Sequence, residues 1–223
     1  MNSEKLEVAT GSKDDFYIAK PASGTGKGVL VVHAWWGLNP FFRGFCDRLS
    51  HEGFVALAPD LYSGQTASTV QEAEKLRSGL KPDVVSQTLI RSADCLRDIS
   101  NQTKHGIGII GFSMGAWWAL GQVEQNVIPS EATVVFYSIR SGNYSKTRSA
   151  FQFHLAESDD SVPGSSIAKV QENLASEGKK AEFYTYPGTS HWFFESDRRA
   201  SYNSNASNLA WNRTIEFLNK HIK

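Results

Sequence analysis

Ile109-Ile110-Gly111-Phe112-Ser113-Met114-Gly115-Ala116 is the stretch on which this sequence turns. An apolar β-branched run enters Gly111, and a helical pattern leaves from Met114. A serine between them sits on a sharp strand-to-helix turn, and the flanking glycines let strand and helix approach closely. The hydroxyl then projects above the carboxyl edge of a sheet. Behind it, the helix N-terminus offers backbone N–H groups and a positive dipole end to a developing oxyanion. The Gly-x-Ser-x-Gly pentapeptide alone is a weak signal, and a glycine-flanked turn that merely packs would match it. The strand–turn–helix context makes Ser113 a candidate nucleophile.

Outward from this turn, short apolar runs alternate with longer amphipathic stretches. Phe16 to Ala19, Val29 to His33 and Phe54 to Ala58 read as strands, as do Ile107 to Gly111, Thr133 to Tyr137, Phe151 to Ala156 and Ala181 to Tyr186. Between them, Asn39-Pro40 opens a helix whose Phe41, Phe42, Phe45, Cys46 and Leu49 recur at helical spacing. Further helices are predicted over 70–79, 84–100, 114–123 and 163–176, with Asp83 placed to cap the second. Leu209, Ile215 and Leu218 are expected on one face of a C-terminal helix. This alternation predicts an α/β fold in one domain spanning 1–223, a mostly parallel central sheet with helices on both faces. Residues 138–150 are too few to insert a cap domain, so the site is expected to be shallow and unlidded.

Composition excludes several functional classes. The 223 residues carry 23 Lys+Arg and 23 Asp+Glu, a formal net charge of zero, without the basic excess of a nucleic-acid protein. At 40% apolar and 21% charged residues the chain is globular rather than disordered. No apolar run reaches membrane-helix length, and Met1-Asn2-Ser3-Glu4-Lys5 does not begin a signal peptide. The expectation is a soluble, cytoplasmic protein, a monomer or weak homo-oligomer, binding neither nucleic acid nor membrane. Cys46 and Cys95 read as buried packing. No metal-ligand spacing and no phosphate-binding glycine loop is present, so neither a metal nor another cofactor is expected.

A serine hydroxyl needs a base. The candidates are His33, His51, His105, His154, His191 and His221. On sheets of this kind the acid and then the histidine follow the nucleophile, each on a loop after a strand. His154 falls inside a strand and reads as packed, and His221 lies near the C-terminal end. His191 follows the strand ending at Tyr186 through Pro187-Gly188-Thr189-Ser190, at the correct sheet edge, and is the base candidate. The acid is expected from the loop Glu157-Ser158-Asp159-Asp160-Ser161-Val162-Pro163. There Asp159 and Asp160 both qualify by position, and either would also serve to cap the next helix. The loop after Val32 supplies a second oxyanion donor in such folds, so the backbone N–H groups of Trp35 and Met114 are the candidate oxyanion hole. Asp60 precedes the nucleophile and reads as a turn residue.

With these residues in hand, the chain resembles the dienelactone hydrolase family of α/β-hydrolases from about Gly28 to the C-terminus. The matching segments are Val31-Val32-His33-Ala34-Trp35-Trp36-Gly37-Leu38-Asn39 and Glu52 to Tyr62, then Gly111 to Gly115, Asp159-x-x-Val162-Pro163 and His191-x-Phe193. In the family the acid stands three residues before a Val-Pro pair, which implies Asp159. The resemblance implies an α/β-hydrolase fold and cleavage of small esters or lactones through an acyl-enzyme. Three departures accompany it. Ser113 replaces the family's usual cysteine, and Ala34 replaces a glutamate that assists the thiol. Glu195 stands where an arginine grips the substrate carboxylate, and Arg77 falls a turn away from the other clamp position. A glutamate facing a carboxylate repels it, which points toward neutral substrates.

Trp35, Trp36, Trp117, Trp118 and Trp192 lie beside the proposed catalytic turns, with Phe193 and Phe194. Trp36, Trp117, Trp192, Phe193 and Phe194 are expected to line an aromatic pocket suited to neutral or aromatic esters; Trp118 is as consistent with core as with pocket. The leading reading is a serine hydrolase of small esters or lactones. Dienelactone hydrolysis proper, a thioesterase or small peptidase with the same triad, and a non-catalytic ligand-binding scaffold are the alternatives. As an esterase, activity rises with pH as His191 loses its proton.

Overall fold

The computed structural model describes residues 15–100 and 106–223, so His105 and Met1 to Lys5 lie outside the described residues. Seven strands form one sheet: β1 (Phe16–Ala19), β2 (Gly28–Val32), β3 (Val55–Pro59), β4 (Ile107–Phe112), β5 (Ser130–Phe136), β6 (Ala150–Ser158) and β7 (Ala181–Ser190). Their order is β1-β3-β2-β4-β5-β6-β7, with β1 antiparallel to β3 and every other pair parallel. Every residue of β2, β3 and β4 is buried, as expected of parallel strands covered on both faces.

Helices α1 (Pro40–His51) and α6 (Ser204–His221) pack on one face, while α3 (Pro82–Ile99), α4 (Met114–Glu124) and α5 (Gly164–Ser176) pack on the other. Asn39 caps α1 by accepting from the Phe42 N–H, with Pro40 in the first turn. The short α2 (Val70–Ser78) carries a capping box between Thr69 and Glu72. Asp83 is not a cap: α3 begins at Pro82 with Lys81 in the capping position, and Asp83 instead places its charge in the first turn. Neither Asp159 nor Asp160 caps α5, whose N-cap position is Pro163. On α6 the buried face is Ala206, Ala210, Trp211, Thr214, Phe217 and Leu218, and Leu209 is 46% exposed. The six-residue step from Leu209 to Ile215 is 600° of rotation at 3.6 residues per turn, which puts them on different faces.

Strand β7 runs to Ser190, through the Pro187-Gly188 pair that reads as a loop in sequence. It is an edge strand, where proline costs no ladder bond on its open side. Between β5 and β6, residues 137–149 contain no helix or strand, and Tyr144 among them is buried. Among the described residues, no helix is long and apolar enough to cross a membrane.

Candidate active site

Ser113 occupies the N-cap position of α4 with φ 49° and ψ −117°, between the buried β4 and its helix. Two glycines make the turn sterically possible. A Cβ on Gly111 would lie 2.4 Å from Ala116 Cα, and one on Gly115 would lie 2.3 Å from the His33 carbonyl oxygen. The second contact also shows that the start of α4 abuts the end of β2, which draws the segment bearing Trp35 toward Ser113. The Ser113 N–H donates to Phe136 O at 3.0 Å, tying the turn to β5.

His191 follows β7 directly, and Asp159 follows β6. Ser113 Oγ lies 2.8 Å from His191 Nε2, and His191 Nδ1 lies 2.7 Å from Asp159 Oδ2. A carboxylate only accepts, so the ring proton sits on Nδ1 and Nε2 accepts from the serine. The other Asp159 oxygen accepts from the Ser161 N–H at 2.9 Å, so the carboxylate is held at both ends. Asp160 is exposed and takes no part in this contact.

Backbone strain concentrates here. Of five non-glycine residues with positive φ among the described residues, Ser113 (49°), Tyr137 (37°) and Trp192 (67°) border this site. Such conformations cost on the order of 1–3 kcal/mol each and persist only where surrounding structure enforces them.

These residues open onto a cleft of about 500 Å³. Its walls are Trp35, Trp117, Trp118 and Trp192, with Met114, Tyr137, Ile139 and Val162 beside Ser113 and His191. Arg77 and Leu80, from the end of α2 and the turn after it, also line it. Trp35 and Trp192 stack at 5.8 Å between centroids, and Arg140 lies 4.0 Å over the Trp117 ring.

Three residues expected in the pocket are in the core instead. Trp36, Phe193 and Phe194 are buried to 3%, 0% and 2% exposure. The His191 segment closes a tight turn, with Phe193 N–H donating to Ser190 O and Glu195 N–H to Trp192 O. That turn leaves Trp192 at the cleft and sends Phe193 against Tyr137 and Tyr186, and Phe194 against Phe45, Phe112 and Phe136. Trp36 lies beneath Arg198, whose guanidinium is 4.2 Å from the ring centroid.

Glu195 likewise does not face the cleft as a charge. It is fully buried and accepts a 2.5 Å hydrogen bond from the Tyr137 hydroxyl. Burial pushes its carboxyl up to about 8, so it is neutral at pH 7. The expected repulsion of an anionic substrate by Glu195 is therefore overturned. Among the described residues lining the cleft, Arg77 alone carries a permanent charge.

His33 and His154 have structural partners. His33 Nε2 accepts from the Leu61 N–H, so its Nδ1 donates to Ala34 O, and burial pushes its pKa down. His154 contacts the Tyr186 hydroxyl, Gln152 and Thr214, and burial depresses it to about 3. Asp60 accepts from the Tyr62 and Gly64 N–H groups, both at 2.8 Å, as a turn residue does. Ile139 and Val162 escaped sequence reading, although each lies beyond the carboxyl end of a parallel strand, where such sites are built. Nothing local marks Leu80, whereas Arg77, a turn away from the family's clamp position in sequence, does line the cleft.

A sheet of this order, carrying a serine, a histidine and an aspartate at its carboxyl edge, defines an α/β-hydrolase. The model of the dienelactone hydrolase family matches residues 15–222. The protein Usf of Aquifex pyrophilus is 30% identical over 221 residues, covering 95% of each chain. An Aquifex aeolicus protein named "Putative carboxymethylenebutenolidase" is 28% identical over 222 residues, with 96% of each covered. Among solved structures, a dienelactone hydrolase-like promiscuous phosphotriesterase from metagenomic libraries superposes with a TM-score of 0.82 at 17% identity, covering 93% of this chain and 92% of its own. The chain belongs to the dienelactone hydrolase family.

Proposed function

We propose that this hydrolase cleaves small carboxylic esters or lactones with Ser113 as nucleophile, His191 as general base and Asp159 as its orienting acid. One observation carries the assignment: the hydrogen-bond path from Ser113 Oγ to His191 Nε2 at 2.8 Å and on from Nδ1 to Asp159 Oδ2 at 2.7 Å.

Ser113 Oγ attacks the acyl carbon while its proton passes to His191 Nε2. The carbonyl oxygen becomes an oxyanion, held by the N–H groups of Met114 and Trp35. One such donor is worth roughly 2.7–4 kcal/mol in the transition state. The tetrahedral intermediate collapses as the C–O bond to the leaving group breaks and His191 returns its proton to that oxygen. Water then adds to the acyl-enzyme, again losing its proton to His191, and the acid departs with Ser113 regenerated. Asp159 keeps Nδ1 protonated and stabilises the imidazolium at each stage.

The aromatic walls suit flat or aromatic acyl and alcohol groups. A second reading, in which the substrate carries a carboxylate as dienelactone does, is favoured by Arg77 in the cleft and by the neutrality of Glu195. Intact-mass analysis and peptide mapping after fluorophosphonate treatment test the nucleophile. A single adduct on Ser113, absent in His191→Ala, is expected. No adduct on folded protein would leave the non-catalytic scaffold. Matched oxygen ester, thioester and amide substrates then separate esterase from thioesterase and peptidase.

A further inference from the structure

Among the described residues, Asp60 and Glu195 are the two acidic residues buried as a whole, and only one has the partners burial demands. Asp60 accepts from two backbone N–H groups. Glu195 is fully buried, receives the Tyr137 hydroxyl on Oε1, and among the described residues has no partner for Oε2. An acid in such a place is costly, and an aliphatic side chain would fill the space at less expense. Packing alone gives it no reason.

Tyr137 is as unusual. It sits in the left-handed region, fixed there by donating its N–H to His154 O at 2.8 Å. Its ring lies 5.0 Å from the His191 ring at 57° and 5.8 Å from the Phe193 ring. His191 and Glu195 belong to the same tight turn, so imidazole, phenol and carboxyl close a loop on themselves.

We infer that Tyr137 and Glu195 act as one positioning pair for the base: the carboxyl anchors the phenol, and the phenol ring holds the imidazole in line between Ser113 and Asp159. This rests on His191 being the base. The charged and titratable groups acting on the pair are Asp159 from the end of β6, and Asp197 and Arg198 from the same turn as Glu195. Asp197 opposes ionisation of Glu195, and Arg198 and the Tyr137 hydrogen bond favour it, yet burial prevails and the carboxyl stays protonated at neutral pH. The imidazolium therefore meets one anion, Asp159, in neutral solution. In alkali it gains a second, beyond the phenol.

The experiment is kcat and KM for p-nitrophenyl acetate from pH 6 to 9.5, with fluorophosphonate labelling rates, for wild type and for Tyr137→Phe, Glu195→Gln and Glu195→Leu. Tyr137→Phe and Glu195→Leu are expected to lower kcat about tenfold, the scale of one lost orienting hydrogen bond, with KM changed less than twofold. Glu195→Gln keeps an acceptor for the phenol, so it is expected to retain kcat at pH 7 and to lack the severalfold alkaline rise expected of wild type around pH 8. The double variant Tyr137→Phe/Glu195→Gln falls no further than Tyr137→Phe alone. Wild-type kcat and pH profile in Tyr137→Phe overturn the inference, as does Glu195→Gln behaving like Glu195→Leu at pH 7. Should Ser113→Ala retain activity, the triad assignment fails instead, and the two failures are distinct.

Discussion

Substituting Gly115 by alanine tests whether the serine turn depends on close contact between α4 and the end of β2. The added Cβ would stand 2.3 Å from His33 O and 2.4 Å from Val32 O. Close carbon–oxygen contacts need about 3.3 Å, so the helix start or the β2 end must give way by roughly 1 Å. Both obstacles are backbone, and no rotamer relieves them. Overpacking of this kind costs about 1–3 kcal/mol of stability. The same displacement carries the Met114 N–H off the proposed oxyanion position, and a misplacement of about 1 Å costs on the order of 100-fold in rate. Gly164 is the control, because a Cβ there meets nothing within 4 Å. Urea unfolding gives the first quantity, and kcat on a neutral aryl ester at saturation gives the second. Gly115→Ala with the stability of Gly164→Ala and a kcat within threefold of wild type would refute the reasoning.

Other outcomes follow from the same geometry. Glu195 has a folded pKa of about 8 against an ordinary 4.5, so the native state keeps a proton that the unfolded chain loses. Stability therefore falls as pH rises from about 4.5 to 8, by an order of a few kcal/mol, and Glu195→Gln flattens that slope in urea midpoints. His154, depressed to about 3 from 6.5, acts at the other end. The unfolded chain takes up its proton first, so stability drops as pH falls from about 6.5 toward 3, and His154→Gln weakens this acid sensitivity in a pH-jump unfolding series. Arg77→Ala is expected to lower kcat/KM for carboxylate-bearing esters by about tenfold relative to neutral isosteres, the scale of one partly exposed charge contact; an unchanged ratio would remove Arg77 from recognition. Asp159→Asn keeps the shape but frees the imidazole tautomer, and kcat should fall by about 10⁴, while Asp160→Asn leaves it unchanged.

What the sequence made legible, and what it hid, divides by the range of the interactions involved. β2 and β4 announce themselves because a strand covered on both faces is an unbroken apolar run. The serine turn is legible because its steric demand falls on two glycines within five residues. His191 was reached by sheet order, although the strand before it runs four residues further than its Pro-Gly pair suggests. Phe193 and Phe194 misled because an aromatic run looks alike whether it faces a cleft or a core, and the turn through Trp192 alone decides the matter. Leu80 left no local signal, and Arg77 showed only as an arginine a turn off the family's clamp position, since the place of both depends on how α2 lies across the sheet. Glu195 was read by its charge, whereas its surroundings remove that charge.

Ser113 grows from β4, buried throughout, while His191 stands at the end of β7, an edge strand most of whose residues are only partly covered. The two halves of the Ser113–His191 hydrogen bond thus belong to regions of unequal protection against opening. A fluctuation that peels the edge away separates histidine from serine and leaves the central strands paired. With Ser113 and His191 in their proposed roles, catalytic competence is then less durable than the fold that carries it, and it returns when the edge re-anneals, without any refolding of the interior.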